Sequence, residues 1–271
     1  MPIRTTPQTA LIVFTVLMTL ITLGFLFWWL ISERKKGPAL LMLLIGGGIS
    51  GLMESWLDNI ILVGWPVDQN LPTFIAYERF VPMFVFIGYA WFCGGLHYVL
   101  ARVFERWYST KVIWLLYLGV LVVDFTAIGL SGWLGIIQFY GDGPMMIAGF
   151  PVWWAAIDGL NVTLGGTLTF FLYRRLKGAQ QLWLILLPCA GLGAAAGIVG
   201  WPIATALNSG WSMPMKYLFA FIAIGFSLAS VHLIAKVGPR FNELLKASEA
   251  QEAAETESRD PELVVGKQEL V

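Results

Sequence analysis

The sequence predicts an all-α membrane protein: a bundle of seven transmembrane helices with its N-terminus outside and its C-terminus cytoplasmic. Three observations predict it. Of 271 residues, 58% are hydrophobic and 13% charged, about half the charged share of a soluble domain. Seven apolar runs each reach the length of about 20 residues that a helix needs to cross hydrocarbon. Lysine and arginine gather on alternate connections, the asymmetry that sets topology in multi-pass proteins. This composition excludes a soluble globular enzyme and a disordered chain. The balance of seventeen Lys+Arg against seventeen Asp+Glu excludes a nucleic-acid binder.

The runs fall at about 8–31, 38–64, 80–104, 112–137, 151–173, 181–206 and 214–236, within a transmembrane domain covering 1–240. The first is longer than a signal-peptide core and stops at Glu33-Arg34-Lys35-Lys36 without a small-residue cleavage site, so it is expected to be retained. Arg34, Lys35 and Lys36 follow helix 1; Arg102, Arg106 and Lys111 join helices 3 and 4; Arg174, Arg175 and Lys177 join helices 5 and 6; Lys236, Arg240 and Lys246 follow helix 7. These four clusters share one side, read as cytoplasmic. The other side carries Arg4, Arg79 and Lys216. Residues 241–271 form an Ala/Glu-rich tail without an apolar stripe, read as a frayed helix or disorder. The spacings Gly47 to Gly51 and Gly193 to Gly197 read as close-packing devices.

Ionisable groups in hydrocarbon are costly and mark function. Helix 2 carries Glu54 and Asp58 on one face with Asn59 alongside; helix 5 carries Asp158 and Asn161 on one face after Pro151, Trp153 and Trp154; helix 4 carries Asp124. At about 1.5 Å per residue, Glu54, Asp58, Asp158 and Asn161 share a layer in the outer half. Asp124 lies deeper and reads as structural, and His97 lies toward the cytoplasmic end and out of reach. Arg79 is placed to tune or pair with Asp58.

The outer loops Trp65 to Pro72, Gln138 to Pro144 and Asn208 to Pro214 are rich in Gly, Pro and aromatics. They suggest a pocket roofed by Trp and Tyr, open to the outer leaflet or exterior, with Tyr140, Trp153 and Trp154 in its wall. Desolvation and mutual repulsion keep one carboxyl of a close pair protonated. Such a neutral acid with an ionised neighbour suits acid/base chemistry without a cofactor. Glu54 is expected as general acid and Asp58 as its base, with Asp158 and Asn161 orienting the substrate.

Other chemistries find no support in the chain. Cys93 and Cys189 are far apart, only His97 and His232 are available as imidazoles, and no nucleophile triad order, zinc spacing, P-loop or dinucleotide fingerprint occurs. No metal and no cofactor are expected. Lys216 invites a retinal Schiff-base reading, but it sits at a helix mouth beside Pro214 rather than mid-helix.

One further pattern runs from about Gly51 to Pro202: Glu54-x3-Asp58, Arg79-x2-Pro82, Tyr89-Ala90-Trp91-Phe92-x-Gly94-Gly95, Tyr140-Gly141-x2-Pro144 and Gly149-Phe150-Pro151-x-Trp153-Trp154. It resembles the AveC-type spirocyclase family of actinobacterial membrane proteins. The resemblance implies polyketide secondary metabolism: cyclisation of a dihydroxy-ketone to a spiroketal with loss of water, in the cell membrane, on a hydrophobic small molecule, with Tyr89 added to the substrate-binding group. Two alternatives use the same residues. One is a terpenoid or carotenoid cyclase or hydratase; the other is a lipid or small-molecule carrier whose carboxylates titrate during transport.

Overall fold

The computed structural model describes residues 8–65 and 73–259. Among them, seven helices are long and apolar enough to cross a membrane: α1 Gln8–Lys36, α2 Ala39–Ile61, α3 Met83–Arg106, α4 Thr110–Trp133, α5 Val152–Tyr173, α6 Gly178–Asn208 and α7, whose apolar part is Met213–Ser248. The protein is therefore a multi-pass membrane bundle. Each helix falls on one of the seven apolar runs. Arg4 and Pro66 to Pro72 lie outside the described residues. Helix α7 continues unbroken to Arg259, through Pro239 and into the segment read from sequence as frayed or disordered. Ala247, Glu249 and Ala250 belong to the residue types that lose least on entering a helix.

Burial decides which helix is central. In the most apolar window of α5, 78% of residues are buried, against 11% in α1. Helix α5 packs against α3, α4, α6 and α7; α2 lies between α3 and α6; α1 rests on α3. In hydrocarbon there is little hydrophobic drive to pair apolar helices, so close van der Waals approach does the work. Gly47 and Gly94 supply it. A Cβ on Gly94 would stand 2.2 Å from the Leu43 carbonyl oxygen, and one on Gly47 would stand 2.6 Å from that of Tyr89. Gly46 meets Ile185 of α6 as closely. Of the two spacings singled out in the sequence, Gly47 and Gly51 do touch α3, whereas Gly197 has nothing within 4 Å.

Three two-stranded antiparallel ladders cap one end of the bundle: β1 Val63–Gly64 with β4 Gln138–Phe139, β2 Thr73–Ala76 with β3 Arg79–Pro82, and β5 Met146–Ile147 with β6 Phe150–Pro151. Tyr77 and Glu78 turn the second hairpin with both φ angles positive, the twist that a tight two-residue turn requires. These ladders explain where apolar runs and helices part company. The runs 38–64 and 112–137 overshoot because Val63, Gly64 and the residues after Trp133 leave the helix for the cap. The other end is basic, and there Tyr108 seals the α3/α4 connection. Its ring packs on Phe104 and Phe170 at 4.7 and 4.8 Å, and its hydroxyl lies against the α7 backbone at Gly238.

Two predictions follow from this packing. Gly94→Ala forces α2 and α3 apart and lowers stability by about 1–3 kcal/mol, the usual cost of overpacking, read as a lower Tm in detergent; an unchanged Tm means the seam is not formed. Burial pushes the Tyr108 hydroxyl up to about 12 from its ordinary 10.0. The unfolded chain thus loses this proton first, so the contribution of Tyr108 is complete below pH 10 and is lost as pH rises toward 12. In alkaline denaturation, Tyr108→Phe removes that part of the loss, and superimposable wild-type and variant curves contradict the assignment.

Candidate functional site

Local distortion of two helices aims the polar side chains. A tight 3₁₀ turn at Gly51–Met53 immediately precedes Glu54, and a wide π-helical turn at Ala90–Gly95 immediately follows Tyr89. Such turns redirect side chains that a regular helix would point elsewhere, and they concentrate at functional sites. The result is a cavity of about 90 Å³ between α1, α2, α3, α4 and α5, lined by apolar and aromatic groups together with Glu54, Tyr89, Asp124 and Asp158. Among its lining residues there is no Lys, Arg or His.

Glu54 is held from two sides. Tyr89 donates its hydroxyl to Glu54 Oε2, and Trp65 Nε1 donates to Oε1 at 3.0 Å. Behind it, Asp58 is completely buried, with both oxygens free of any conventional donor, and its carboxyl meets that of Glu54. Asp124 and Asp158 form a second carboxyl pair, joined across α4 and α5. Two carboxyls in contact away from solvent cannot both carry charge, so each pair holds at least one proton.

Asp124 is thus part of the chamber and not the remote group that depth counting suggested. The count began too far out. Helix α4 ends at Trp133, which places Asp124 nine residues from the capped end, beside Glu54 at seven residues from Ile61 and Asp158 at six from Val152.

The other residues singled out in the sequence divide. Glu54, Asp158, Tyr89 and Trp154 line the cavity; Asp58 backs it. Trp153 stands behind Trp154, edge to face at 6.2 Å, and donates Nε1 to the Pro144 carbonyl at 3.2 Å. Arg79 makes no ion pair with Asp58: its Nε donates to Asn59 Oδ1 at 3.0 Å and its guanidinium lies 4.9 Å from the Tyr140 ring centre. Both belong to the cap. Asn161 faces the next layer down, donating Nδ2 to Cys93 Sγ at 3.4 Å.

That layer holds His97, which is fully buried and not at a helix end as expected. Its ring occupies the space that Cβ atoms on Gly165 and Gly191 would fill, beside Asn161. Neither ring nitrogen has a well-formed hydrogen bond. The signal that finds it is Gly165, one helical turn after Asn161, which leaves room for an imidazole from α3. Among the described residues, no group of three or more His, Cys, Asp and Glu is arranged to hold a metal ion.

Fold and site define a class: a seven-helix membrane bundle enclosing paired carboxyls in a dry aromatic chamber. Comparison of the chain with protein-family models, with curated proteins and with solved structures finds no match.

Removing the Tyr89 hydroxyl leaves a buried carboxyl oxygen without its donor, a loss of about 1–3 kcal/mol. Tyr89→Phe is therefore expected to lower the Tm without loss of ring packing, and an unchanged Tm removes Tyr89 from the site.

Proposed function

We propose that this protein is a membrane-embedded, cofactor-independent acid/base cyclase acting on a hydrophobic substrate. The basic end would face the cytoplasm, and the capped end, nearer the carboxyls, the exterior. One observation carries the reading: two carboxyl pairs, with Glu54, Asp124 and Asp158 lining it and Asp58 behind, meet at a single apolar chamber whose described lining residues include no Lys, Arg or His. A lone structural carboxyl needs one partner, whereas two proton-sharing pairs across a cavity supply an acid and a base to whatever lies between them.

Hydrogen bonding supports a division of roles in which Glu54 serves as the base, where the sequence suggests it as the acid. Glu54 accepts from Tyr89 and Trp65 on its two oxygens, with Asp58 behind it; these contacts offset part of the cost of charging a buried carboxyl, which suits a base. Asp124 and Asp158 have no such donors from the surrounding residues apart from Trp154 near Asp158; their shared proton is the acid. Asp58 is then a positioning residue. The resemblance to the AveC-type spirocyclases supplies the reaction best suited to this equipment. In a dihydroxy-ketone, the Asp124/Asp158 pair protonates the carbonyl oxygen while Glu54 takes the proton of the attacking hydroxyl, giving a hemiketal. Proton return to the hemiketal hydroxyl releases water, and the second hydroxyl closes the spiroketal as its proton passes to a carboxylate. Nothing is oxidised, and one water leaves. A terpenoid cyclase or hydratase would use the same acid on an alkene.

A second reading, a carrier with titrating carboxylates, draws on the Cys93, Asn161 and His97 layer, which extends polarity beneath the chamber. It calls for proton-coupled uptake by vesicles.

The test of the first reading is product formation from long-chain dihydroxy-ketones by purified protein in liposomes, followed as a species lighter by one water. Glu54→Gln and Asp158→Asn should each lower turnover by about 10²–10⁴, the usual weight of a general acid or base. Wild-type turnover in either variant eliminates its assignment, and inert wild-type protein across the substrate series eliminates the spiroketal reaction.

A further inference from the structure

The chamber is closed toward the capped end. The β1/β4 ladder and Trp65 cover it, with Trp65 stacked edge-on to Phe84 at 5.5 Å, and Leu11 of α1 and Ile136, just after α4, belong to one buried apolar cluster with Val81 and Val85. Toward the basic end it is floored by Cys93 and Asn161. The flank is different. Helix α4 packs on α5 and α7, while α1 packs on α3, and the chamber lies in the angle between these two groups, lined by Phe14 and Met18 from α1 and by Val123 and Ala127 from α4. Val123 is 46% exposed, and Leu118 and Val122 beside it on α4 are exposed as well.

Depth identifies what lies outside that flank. Ala127 and Val123 are six and ten residues from Trp133, the capped end of α4, and Phe14 and Met18 line the cavity with them. At 1.5 Å per residue the rim sits about 9–15 Å below that end, inside a hydrocarbon core about 30 Å thick. Size points the same way. A cavity of about 90 Å³ holds the reacting end of a molecule and leaves the remainder outside, where this flank offers only acyl chains.

We propose that the gap between α1 and α4 is a lateral portal. Through it, a bilayer-dissolved amphiphile, an apolar chain ending in a carbonyl or hydroxyl group, inserts its oxygenated end among Glu54, Asp124 and Asp158 while its chain stays in the lipid. The ligand class rests on reading the chamber as a reaction site; the portal itself does not.

The test measures access, with no substrate needed. The full chain in liposomes is treated with dicyclohexylcarbodiimide, which partitions into lipid, and in parallel with a water-soluble cationic carbodiimide. A protonated carboxyl adds across the N=C=N bond to give an O-acylisourea, which rearranges to a stable N-acylurea with every atom retained. Peptide mass mapping then locates the adducts. The lipid-soluble reagent should modify Asp158, Asp124 or Glu54, and the water-soluble one should not. Ala127→Trp and Val123→Trp should each slow labelling by an order of magnitude, and Leu118→Trp, on the lipid face of the same helix, should leave it unchanged. Faster or equal labelling by the water-soluble reagent, no labelling by either, or unaltered labelling in both rim variants overturns the portal. Portal-dependent labelling together with wild-type turnover by Glu54→Gln would instead overturn the acid/base reading and leave the portal standing.

Discussion

The cost of placing charge in hydrocarbon governs this molecule. Glu54, Asp58, Asp124 and Asp158 are all at most 7% exposed, deep within helices that cross the membrane, and among the described residues no cation lines the cavity they share or back. An isolated carboxylate there would be prohibitive. Pairing reduces the demand, because two carboxyls sharing one proton carry a single charge that each spreads to the other. The donors on Glu54 accommodate a charge on that side. Other features of the bundle serve this arrangement. Helix α5 is central because Asp158 must be enclosed on every side, and the glycine contacts of α2 draw its backbone close enough to α3 for Glu54 to reach Tyr89.

Close packing and an open chamber make opposite demands, and the helices reconcile them locally. Below the chamber, Gly47, Gly94 and Gly46 bring backbones into contact. Beside it, α3 widens into a π-helical turn and α2 tightens into a 3₁₀ turn. Each deviation sits within a residue of a polar side chain of the chamber, so the distortion is spent where a regular helix would leave Glu54 and Tyr89 on diverging faces.

The seven spans were legible because a single quantity, apolar length, decides them, and nothing in the fold competes with it. The carboxyls on one helix were legible for a similar reason: Glu54 and Asp58 are one turn apart. The convergence of Glu54 and Asp158 from two helices is legible as well; less legible is what depends on exact helix ends and on particular side-chain contacts. The four residues by which the apolar run overshoots the end of α4 place Asp124 too deep, and ladders of two to four residues are too short to register as periodicity. Arg79 makes no direct contact with Asp58, because a hairpin carries it to Asn59 and Tyr140; from there its charge still acts on Asp58 through space. His97 could not be located without knowing that Gly165 and Gly191 face it. Trp65 was read as part of a roof, which it is, but its hydrogen bond to Glu54 depends on the β1/β4 ladder that fixes its approach.

Proton accounting separates the chemistries such a chamber can support. A carrier driven by protons must load them at one face and release them at the other, so its carboxyls need a conducting route in both directions. A cyclisation with loss of water returns every proton it borrows: in the proposed reaction, what the Asp124/Asp158 pair would give to a carbonyl would come back from the hydroxyls that add to it. The chamber would then end each turnover in the protonation state in which it began. A site sealed by Trp65 above and by Cys93 and Asn161 below suits that closed cycle, since enclosure in a dry site strengthens every electrostatic interaction on which proton transfer depends. The layer at His97 then stands outside the cycle, and its unpartnered nitrogens matter only if protons must travel farther than the chamber itself.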